Sequence, residues 1–172
     1  MTVTDVKDVV VSVIIPTLNE ASYIEATLKA LSDQPGPVEV IVVDGGSSDD
    51  TVALATPHAR VIEGPRGRAR QMNAGAREAA GEILLFLHAD TQLPPDGLAD
   101  VRRALATDFN AGIFRLQFDR AGPLLRFYSW CTRWRIQQFC FGDRALFVRR
   151  SLFERLGGYA DLPLFEDLAL AT

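Results

Sequence analysis

The chain has 172 residues, of which 48% are hydrophobic and 23% charged, and its net charge is −4. This composition excludes wholesale disorder, and the acidic balance argues against a nucleic-acid binder that works through a broad basic face. The length predicts one domain with its own core.

The first half of the chain alternates two kinds of segment. β-branched apolar runs are typical of strands buried on both faces of a parallel sheet, and other segments have apolar residues at helical spacing. Capping residues and Pro–Gly turns separate them. The predicted elements are strand Val9–Pro16, a helix capped by Asn19 and ended by Pro35-Gly36-Pro37, strand Val38–Val43, a short helix from Ser47–Asp50 to Thr56, and strand Arg60–Glu63.

The second half continues this alternation and adds a strand with one buried face, because Phe114, Leu116 and Phe118 alternate with polar residues. Helix Arg68–Ala80 has an apolar face of small residues and Met, and Gly81 ends it. The remaining predicted elements are strand Ile83–Leu87, a helix through Leu98, Val101 and Leu105, helix Leu124–Gln138, strand Ala145–Val148 and a helix capped by Ser151.

This order predicts one α/β domain over residues 1–172, a Rossmann-like layered domain with a mostly parallel central sheet flanked by helices. Ligands of such sheets bind beyond the carboxyl ends of the strands. Three predicted strands end there in small, polar or acidic residues, namely Pro16-Thr17-Leu18-Asn19, Asp44-Gly45-Gly46 and His88-Ala89-Asp90.

Two of these strand ends have a chemical and a plain structural interpretation. Asp44 can accept hydrogen bonds from a base or ribose beside glycines that admit a ligand, or it caps the next helix. His88 and Asp90, two residues apart on an extended segment, point the same way and can reach one divalent ion, Mn²⁺ or Mg²⁺. The alternative there is a structural histidine beside a helix-capping acid.

Two further motifs carry charge. Gly67-Arg68-Ala69-Arg70, followed by Asn73, predicts a diphosphate site at a helix N-terminus. It lacks the ending of a P-loop, and the alternative is a solvated, Arg-rich first turn. The acidic pair Glu166-Asp167 either supplies a general base or begins a helix.

Five segments occur in the order seen in family 2 glycosyltransferases, and the chain resembles that family from about Val9 to its end. Members are nucleotide-sugar-dependent enzymes with the GT-A fold. His88-Ala89-Asp90 and Gly142–Phe147 further resemble a bacterial subgroup associated with radical-SAM or selenodomain (arsenosugar-type) gene clusters. The five segments are Ser12–Glu20, Glu39–Thr51, Gly67–Gly75, Ile83–Asp90 and Gly157–Asp167.

The resemblance implies a role for each matching residue. Asp167 matches the catalytic base of inverting members, and Asp90 matches the final acid of the Asp-X-Asp metal motif. His88 replaces the first acid of that motif, which leaves open whether it binds the metal. The residues implied in binding the nucleoside and diphosphate of the donor are Pro16, Thr17, Asn19, Glu20, Asp44, Gly45, Arg68, Arg70 and Asn73.

The implied activity is inverting transfer of a sugar from a UDP- or GDP-sugar to an unknown hydroxyl acceptor, with a divalent metal and without nucleic acid. One alternative is a nucleotide-binding module with little catalytic activity. The other is a nucleotidyltransferase, which is disfavoured because Thr17-Leu18-Asn19-Glu20 stands where such enzymes have a Gly-rich signature.

Family members continue beyond the position of Thr172, so we expect a chain without the usual C-terminal helices. Such a chain binds donor but transfers sugar slowly, unless another subunit of a homo-oligomer or a further segment packs over Asp167.

The expected location is the cytoplasm. No apolar run reaches the ~18 residues of a membrane span, Met1–Asp8 has no signal-peptide pattern, and two cysteines are too few for a disulfide framework. The aromatic and Arg-rich segment Leu124–Phe141 has three interpretations: a contact with the membrane surface, a core-packing helix with a solvated Arg face, or a lining of the acceptor site.

Overall fold

The computed structural model describes residues 8–107, 109–114 and 145–160. Six strands and five helices lie within these ranges. In chain order they are β1 (Val11–Thr17), α1 (Ile24–Ser32), β2 (Val38–Asp44), α2 (Thr51–Ala55), β3 (Arg60–Glu63), α3 (Arg68–Glu78), β4 (Ile83–Phe86), α4 (Gly97–Leu105), β5 (Ala111–Ile113), β6 (Leu146–Arg149) and α5 (Arg150–Arg155).

The strands form one sheet in the order β3-β2-β1-β4-β6-β5. β1 pairs in parallel with β2 and β4, and β2 pairs in parallel with β3, whereas β6 is antiparallel to β4 and β5. The mostly parallel sheet is therefore confirmed. After β1 the chain moves to one side of the sheet and after β4 to the other, so a crevice opens between their carboxyl ends, where open α/β sheets bind ligands.

Helices cover both faces of the sheet. One face packs against apolar residues of α1, α2 and α4, and the other against α3, α5 and Tyr159. The right-handed rule for parallel crossovers explains this division. The connections from β1 to β2 and from β2 to β3 run one way across the sheet, and the connection from β3 to β4 runs back, so α3 lies on the opposite face.

The absence of a side chain at Gly75 lets α3 lie close to β1 and β2. A Cβ atom at Gly75 would lie 2.5 Å from Ile14 Cγ2 and 2.9 Å from Val43 Cγ2. The predicted apolar face of this helix is confirmed, since Ala69, Met72, Ala76 and Ala79 are all buried. This close approach brings the first turns of α3 to the carboxyl ends of the two strands.

Two local predictions are wrong. Asn19 does not cap α1, which begins at Ile24, because Asn19 has a left-handed φ of 58° in the preceding loop. Ser151 lies inside α5, whose N-cap is Arg149. Near the strand predicted from Phe114 onwards, the structure has β5, which ends one residue before Phe114 and pairs along its whole length with β6.

The rest of that predicted strand and the predicted helix Leu124–Gln138 lie outside the described residues. In the part of the chain that the structure describes, no helix has the length and apolar character needed to cross a membrane.

A buried arginine joins α4 to the loop between α1 and β2. The Arg102 side chain donates from Nε to Val9 O at 2.8 Å. Its two terminal nitrogens donate to Pro35 O, at 2.7 Å, and to Pro37 O. Gly36 has a φ of 83°, and a Cβ there would lie 2.9 Å from Arg102 Nη1. Burial lowers the pKa of the Arg102 guanidinium, because it removes water from the charged group. The hydrogen bonds to the three carbonyls replace the hydrogen bonds that water would make.

We expect Arg102→Met to lower the free energy of unfolding by about 2–4 kcal/mol, because the backbone carbonyls of Val9, Pro35 and Pro37 lose the donors of a buried guanidinium. Arg103→Met is the matched control, since Arg103 is an exposed neighbour that forms an ion pair with Asp100 in the same helix. The free energy of unfolding should fall by less than about 1 kcal/mol in Arg103→Met. Urea denaturation measures both, and equal losses would contradict the structural role of Arg102.

Candidate active site

The loops after β1 and β2 are joined by hydrogen bonds from three consecutive backbone N–H groups to side chains. These bonds run from Asn19 to Ser47 Oγ (2.9 Å), from Glu20 to Thr51 Oγ1 (2.8 Å) and from Ala21 to Asp49 Oδ2 (3.2 Å). In return, Ser48 N donates to Asn19 Oδ1 at 2.8 Å. These three N–H groups already donate to side chains of the protein. They are therefore not available to bind a phosphate in the way that the free N–H groups of Gly-rich loops do.

Asp44, at the end of β2, is the centre of this joined pair of loops. Its Oδ2 accepts from Gly46 N at 2.9 Å and Ser47 N at 2.8 Å. Its Oδ1 accepts from Ser47 Oγ at 2.5 Å and Thr17 Oγ1 at 3.2 Å. Burial by itself raises the pKa of Asp44, but the hydrogen bonds from Ser47, Gly46 and Thr17 outweigh it and leave the pKa below its usual value.

These contacts give Asp44 a structural role in its own loop. Donors from Ser47, Gly46 and Thr17 surround the carboxylate, and the residue is only 5% exposed. The predicted contact of Asp44 with the nucleoside stays a prediction. Pro16 and the buried Thr17 end β1 directly alongside.

Gln71 is a site residue that the sequence analysis missed. Its Nε2 donates to Thr17 O and to Val43 O, both at 2.8 Å, so one amide binds the ends of β1 and β2. A Cβ at Gly45 would lie 3.0 Å from that nitrogen, which explains a glycine there. A signal existed, because Gln71 is a polar residue four positions before Gly75 on the face of α3 that meets the sheet.

The two predicted diphosphate-binding arginines lie on different sides of α3. The helix begins at Arg68 as predicted, and both Arg68 and Arg70 are exposed. Residues two apart on an α-helix do not face each other, whereas residues three apart do. Arg68 therefore shares a side with Gln71, and Arg70 shares a side with Asn73.

Acidic residues from three loops gather at the same edge as Arg68. The pKa of Glu20 is raised, first by partial burial, then by the negative charge of Asp90, and more weakly by that of Asp49. The positive charge of Arg68 acts on Glu20 in the opposite direction. The charges of Asp90, in the turn after β4, and of Arg68, at the start of α3, therefore both act on Glu20 in the loop after β1.

The segment His88-Ala89-Asp90 is a turn and not an extended strand. Thr91 N donates to His88 O at 3.1 Å, so the extended geometry from which His88 and Asp90 were expected to point the same way is absent. Thr27 Oγ1 donates to Ala89 O at 2.6 Å and holds the turn against α1. Asp90 is exposed, and His88 is half-buried.

A divalent ion would have few protein ligands at this edge. Among the described residues, no three His, Cys, Asp or Glu side chains converge on one point that could hold an ion. Mg²⁺-type ions in nucleotide sites are held by one or two carboxylates together with substrate phosphates. An exposed Asp90 beside Glu20 fits an ion that arrives with a diphosphate.

Asn73 has a different environment from the one predicted. Its Nδ2 donates to Tyr159 O, and Tyr159 N donates to its Oδ1, both at 2.9 Å. Each polar atom of the amide therefore has a backbone partner, and the side chain holds the residues that follow α5. Glu166 and the predicted base Asp167 lie outside the described residues, as do Leu124–Phe141 and the two cysteines.

Comparison with known proteins identifies the family. The sequence model of glycosyl transferase family 2 matches residues 12–157, and the chain belongs to that family. A PGL/p-HBAD biosynthesis glycosyltransferase of Mycobacterium tuberculosis is 32% identical over 166 residues, which cover 86% of this chain and 62% of the relative. The chain thus spans about three-fifths of that relative's length.

Solved structures show the same fold. A mannosyltransferase from Pyrobaculum calidifontis, in complex with GDP-Man and Mn²⁺, superposes with a TM-score of 0.68 and is 29% identical, covering 88% of this chain and 47% of its own. The S. aureus protein TarS in complex with UDP gives 0.74 at 22% identity, covering 93% and 53%. The α/β sheet described above is therefore the GT-A fold.

The lowered pKa of Asp44 predicts an acid-sensitive loop. Because the folded pKa lies below the unfolded value of about 3.9, the ionised carboxylate stabilises the fold above that pH, and its contribution is lost as the pH falls through the folded pKa. Asp44→Asn should cost about 2 kcal/mol at pH 7, and the gap to wild type should close towards pH 3. Asp33→Asn, exposed at the end of α1, is the control. Urea unfolding at several pH values measures this, and a gap independent of pH would contradict it.

Proposed function

We propose that this member of glycosyl transferase family 2 moves a sugar from a UDP- or GDP-sugar to an acceptor hydroxyl. The observation that carries the proposal is the placement of Glu20 in the loop after β1, Asp90 in the turn after β4 and Arg68 at the start of α3, since β1 and β4 are neighbouring parallel strands with a crevice between their carboxyl ends. Carboxylates and a guanidinium at the carboxyl ends of a parallel sheet suit a metal-bound diphosphate. The P. calidifontis neighbour, which was solved with GDP-Man and Mn²⁺, supports this donor chemistry.

The nucleoside lies over the ends of β1 and β2 in this proposal. Pro16, Thr17 and Gly45 form the floor, and the absence of a side chain at Gly45 leaves room above Gln71. Asp44, Asn19 and Gln71 act as positioning residues, because their polar atoms hold the two loops together.

The diphosphate lies between α3 and the turn after β4. The positive charge of Arg68 acts on Glu20 in the loop after β1. We therefore favour Arg68 over Arg70 as the residue that binds the diphosphate. Asp90, with His88 beside it, would hold the divalent ion, Mn²⁺ or Mg²⁺. When bound, such an ion neutralises charge on the departing diphosphate.

The transfer step is proposed as a single displacement with inversion. The acceptor oxygen forms a bond to the anomeric carbon, the bond from that carbon to the phosphate oxygen breaks, and the nucleoside diphosphate leaves with the electron pair. Asp167 takes the acceptor's proton as general base. This role comes from the match of Gly157–Asp167 to the family motif.

The nucleotidyltransferase alternative has less support. Such an enzyme needs free backbone N–H groups after the first strand to hold phosphates. The N–H groups of Asn19, Glu20 and Ala21 are already bonded to side chains. The binding-module alternative predicts donor binding without turnover and is an outcome of the second test below.

Finer assignments are also proposals. Membership of the radical-SAM or selenodomain-associated subgroup depends on His88-Ala89-Asp90 and Gly142–Phe147. A cytoplasmic location, contact with a membrane surface through Leu124–Phe141, and a homo-oligomer are carried over from the sequence alone.

A nucleoside diphosphate with Mn²⁺ should raise the melting temperature by about 5–10 °C at one hundred times its Kd. Thermal-shift series with UDP or GDP, with Mn²⁺, Mg²⁺ or no metal, measure this, and imidazole at His88 should favour Mn²⁺. Asp90→Asn should abolish the metal-dependent part of the shift, and Asp33→Asn should retain it. Absence of any shift at millimolar ligand would remove the basis of the proposal.

Incubation with UDP- and GDP-sugars, with water or glycerol as acceptor, should release nucleoside diphosphate. Asp167→Asn should slow this release by about 10²–10⁴-fold, because a general base is lost, while the donor Kd stays unchanged. When pyrophosphate is added as a co-substrate, formation of UTP or GTP together with a sugar 1-phosphate would instead indicate a nucleotidyltransferase. Binding without release would indicate a binding module, and equal rates in Asp167→Asn would reject the base assignment.

A further inference from the structure

Asn73 and Tyr159 form a two-way contact between α3 and the residues after α5. The amide of Asn73 donates to Tyr159 O and accepts from Tyr159 N, both at 2.9 Å, across 86 positions of sequence. An amide side chain can pair in this way with a residue whose own N–H and C=O both face it. The contact therefore fixes the direction of the chain at Tyr159 as well as its distance from α3.

The residues around Tyr159 fit the side chain of Asn73 closely. Gly158 has a φ of 79°, and a Cβ there would lie 2.6 Å from Asn73 Oδ1. The buried ring of Tyr159 packs edge-on against Phe86, the last residue of β4, with ring centroids 4.8 Å apart. Phe153 lies 5.6 Å from the same ring. Tyr159 is thus held by α3 through its backbone and by β4 and α5 through its ring.

The position of Asn73 on α3 separates it from the donor side of the helix. Arg68 and Gln71 share one side, and Gln71 reaches the ends of β1 and β2. Asn73 lies on the other side with Arg70 and Arg77 and reaches Tyr159. The helix α3 therefore contacts the ends of β1 and β2, where we expect the nucleoside, through the amide of Gln71. Through the amide of Asn73 it contacts Tyr159, which precedes Asp167 in the chain.

We propose that Asn73 is a positioning residue for the transfer step and not a donor ligand. It holds Gly157–Ala160 against α3, which sets where the chain begins its course to the acidic pair, relative to the expected diphosphate beside Arg68. Displacement of a reacting group by ~1 Å costs about 10²-fold in rate. The inference rests on the proposed function, because the rate it concerns is that of sugar transfer.

The test compares Asn73→Ala, Asn73→Asp and Gly158→Ala with Arg77→Ala, an exposed control on the same side of α3. Asn73→Asp keeps the shape but sets a carboxylate against Tyr159 O. Gly158→Ala breaks the contact from the other side. The measurements are the Kd for UDP or GDP with Mn²⁺ by calorimetry, kcat for nucleoside diphosphate release, and hydrogen exchange at the Tyr159 amide.

We expect kcat to fall about 10²-fold in the three test variants, with Kd within about twofold of wild type and at least tenfold faster exchange at Tyr159. Arg77→Ala should match wild type throughout. The double variant of Asn73→Ala with Gly158→Ala should lose no more than the worse single variant, because both remove one contact.

A Kd that rises as much as kcat falls would return Asn73 to the donor site and overturn the proposal. Unchanged kcat, or unchanged exchange at Tyr159, would also overturn it. If wild type releases no nucleoside diphosphate, the proposed function fails, and the exchange measurement still shows separately whether the contact exists. Retained calorimetric binding shows that each variant is folded.

Discussion

The close approach of α3 to β1 and β2 is the constraint on which the candidate site depends. It exists because Gly75 has no side chain where a Cβ would meet Ile14 and Val43. A side chain at position 75 would hold α3 further from the sheet, and Gln71 would then lose its hydrogen bonds to the ends of β1 and β2. The same movement would separate the charge of Arg68 from Glu20. A glycine in the middle of a helix costs roughly 0.5–1 kcal/mol relative to alanine, and this packing explains why it is present.

The charges around Glu20 bear on the proposed metal-assisted step. Partial burial and the negative charges of Asp90 and Asp49 raise the pKa of Glu20, and the positive charge of Arg68 acts in the opposite direction. In the proposed function, a divalent cation that arrives with the diphosphate would offset the charge of these carboxylates. The internal hydrogen bonds of Asp44 have another effect, because they keep that carboxylate ionised and turned towards its own loop.

The sequence predicted the sheet and most helices, because those follow from apolar periodicity, and the strand-end rule supplied the expected place of the site. It failed where a single backbone torsion or a distant partner decided the result. Asn19 adopts a left-handed φ of 58°, and His88 begins a turn closed by Thr91; neither is visible in a hydrophobic pattern. The partner of Asn73 is 86 residues away, so no local spacing indicates it.

The buried polar side chains follow one rule, which is that each matches the peptide groups it faces. At Val9, Pro35 and Pro37 the chain presents only carbonyls, and a guanidinium with donors alone binds them. Two strand-end carbonyls are bound by the NH₂ group of Gln71.

Where the backbone presents only N–H donors, the facing side chain has only acceptors. The Gly46 and Ser47 amides face the carboxylate of Asp44, which accepts without donating. Tyr159 presents both an N–H and a C=O, and Asn73 provides one acceptor and one donor. Exchanging the guanidinium of Arg102 with the carboxylate of Asp44 would leave polar groups unpaired, which costs about 1–3 kcal/mol for each buried group. The identity of each residue is therefore set by its backbone partners as well as by the chemistry of the site, and the proposed positioning role of Asn73 follows from such backbone partners.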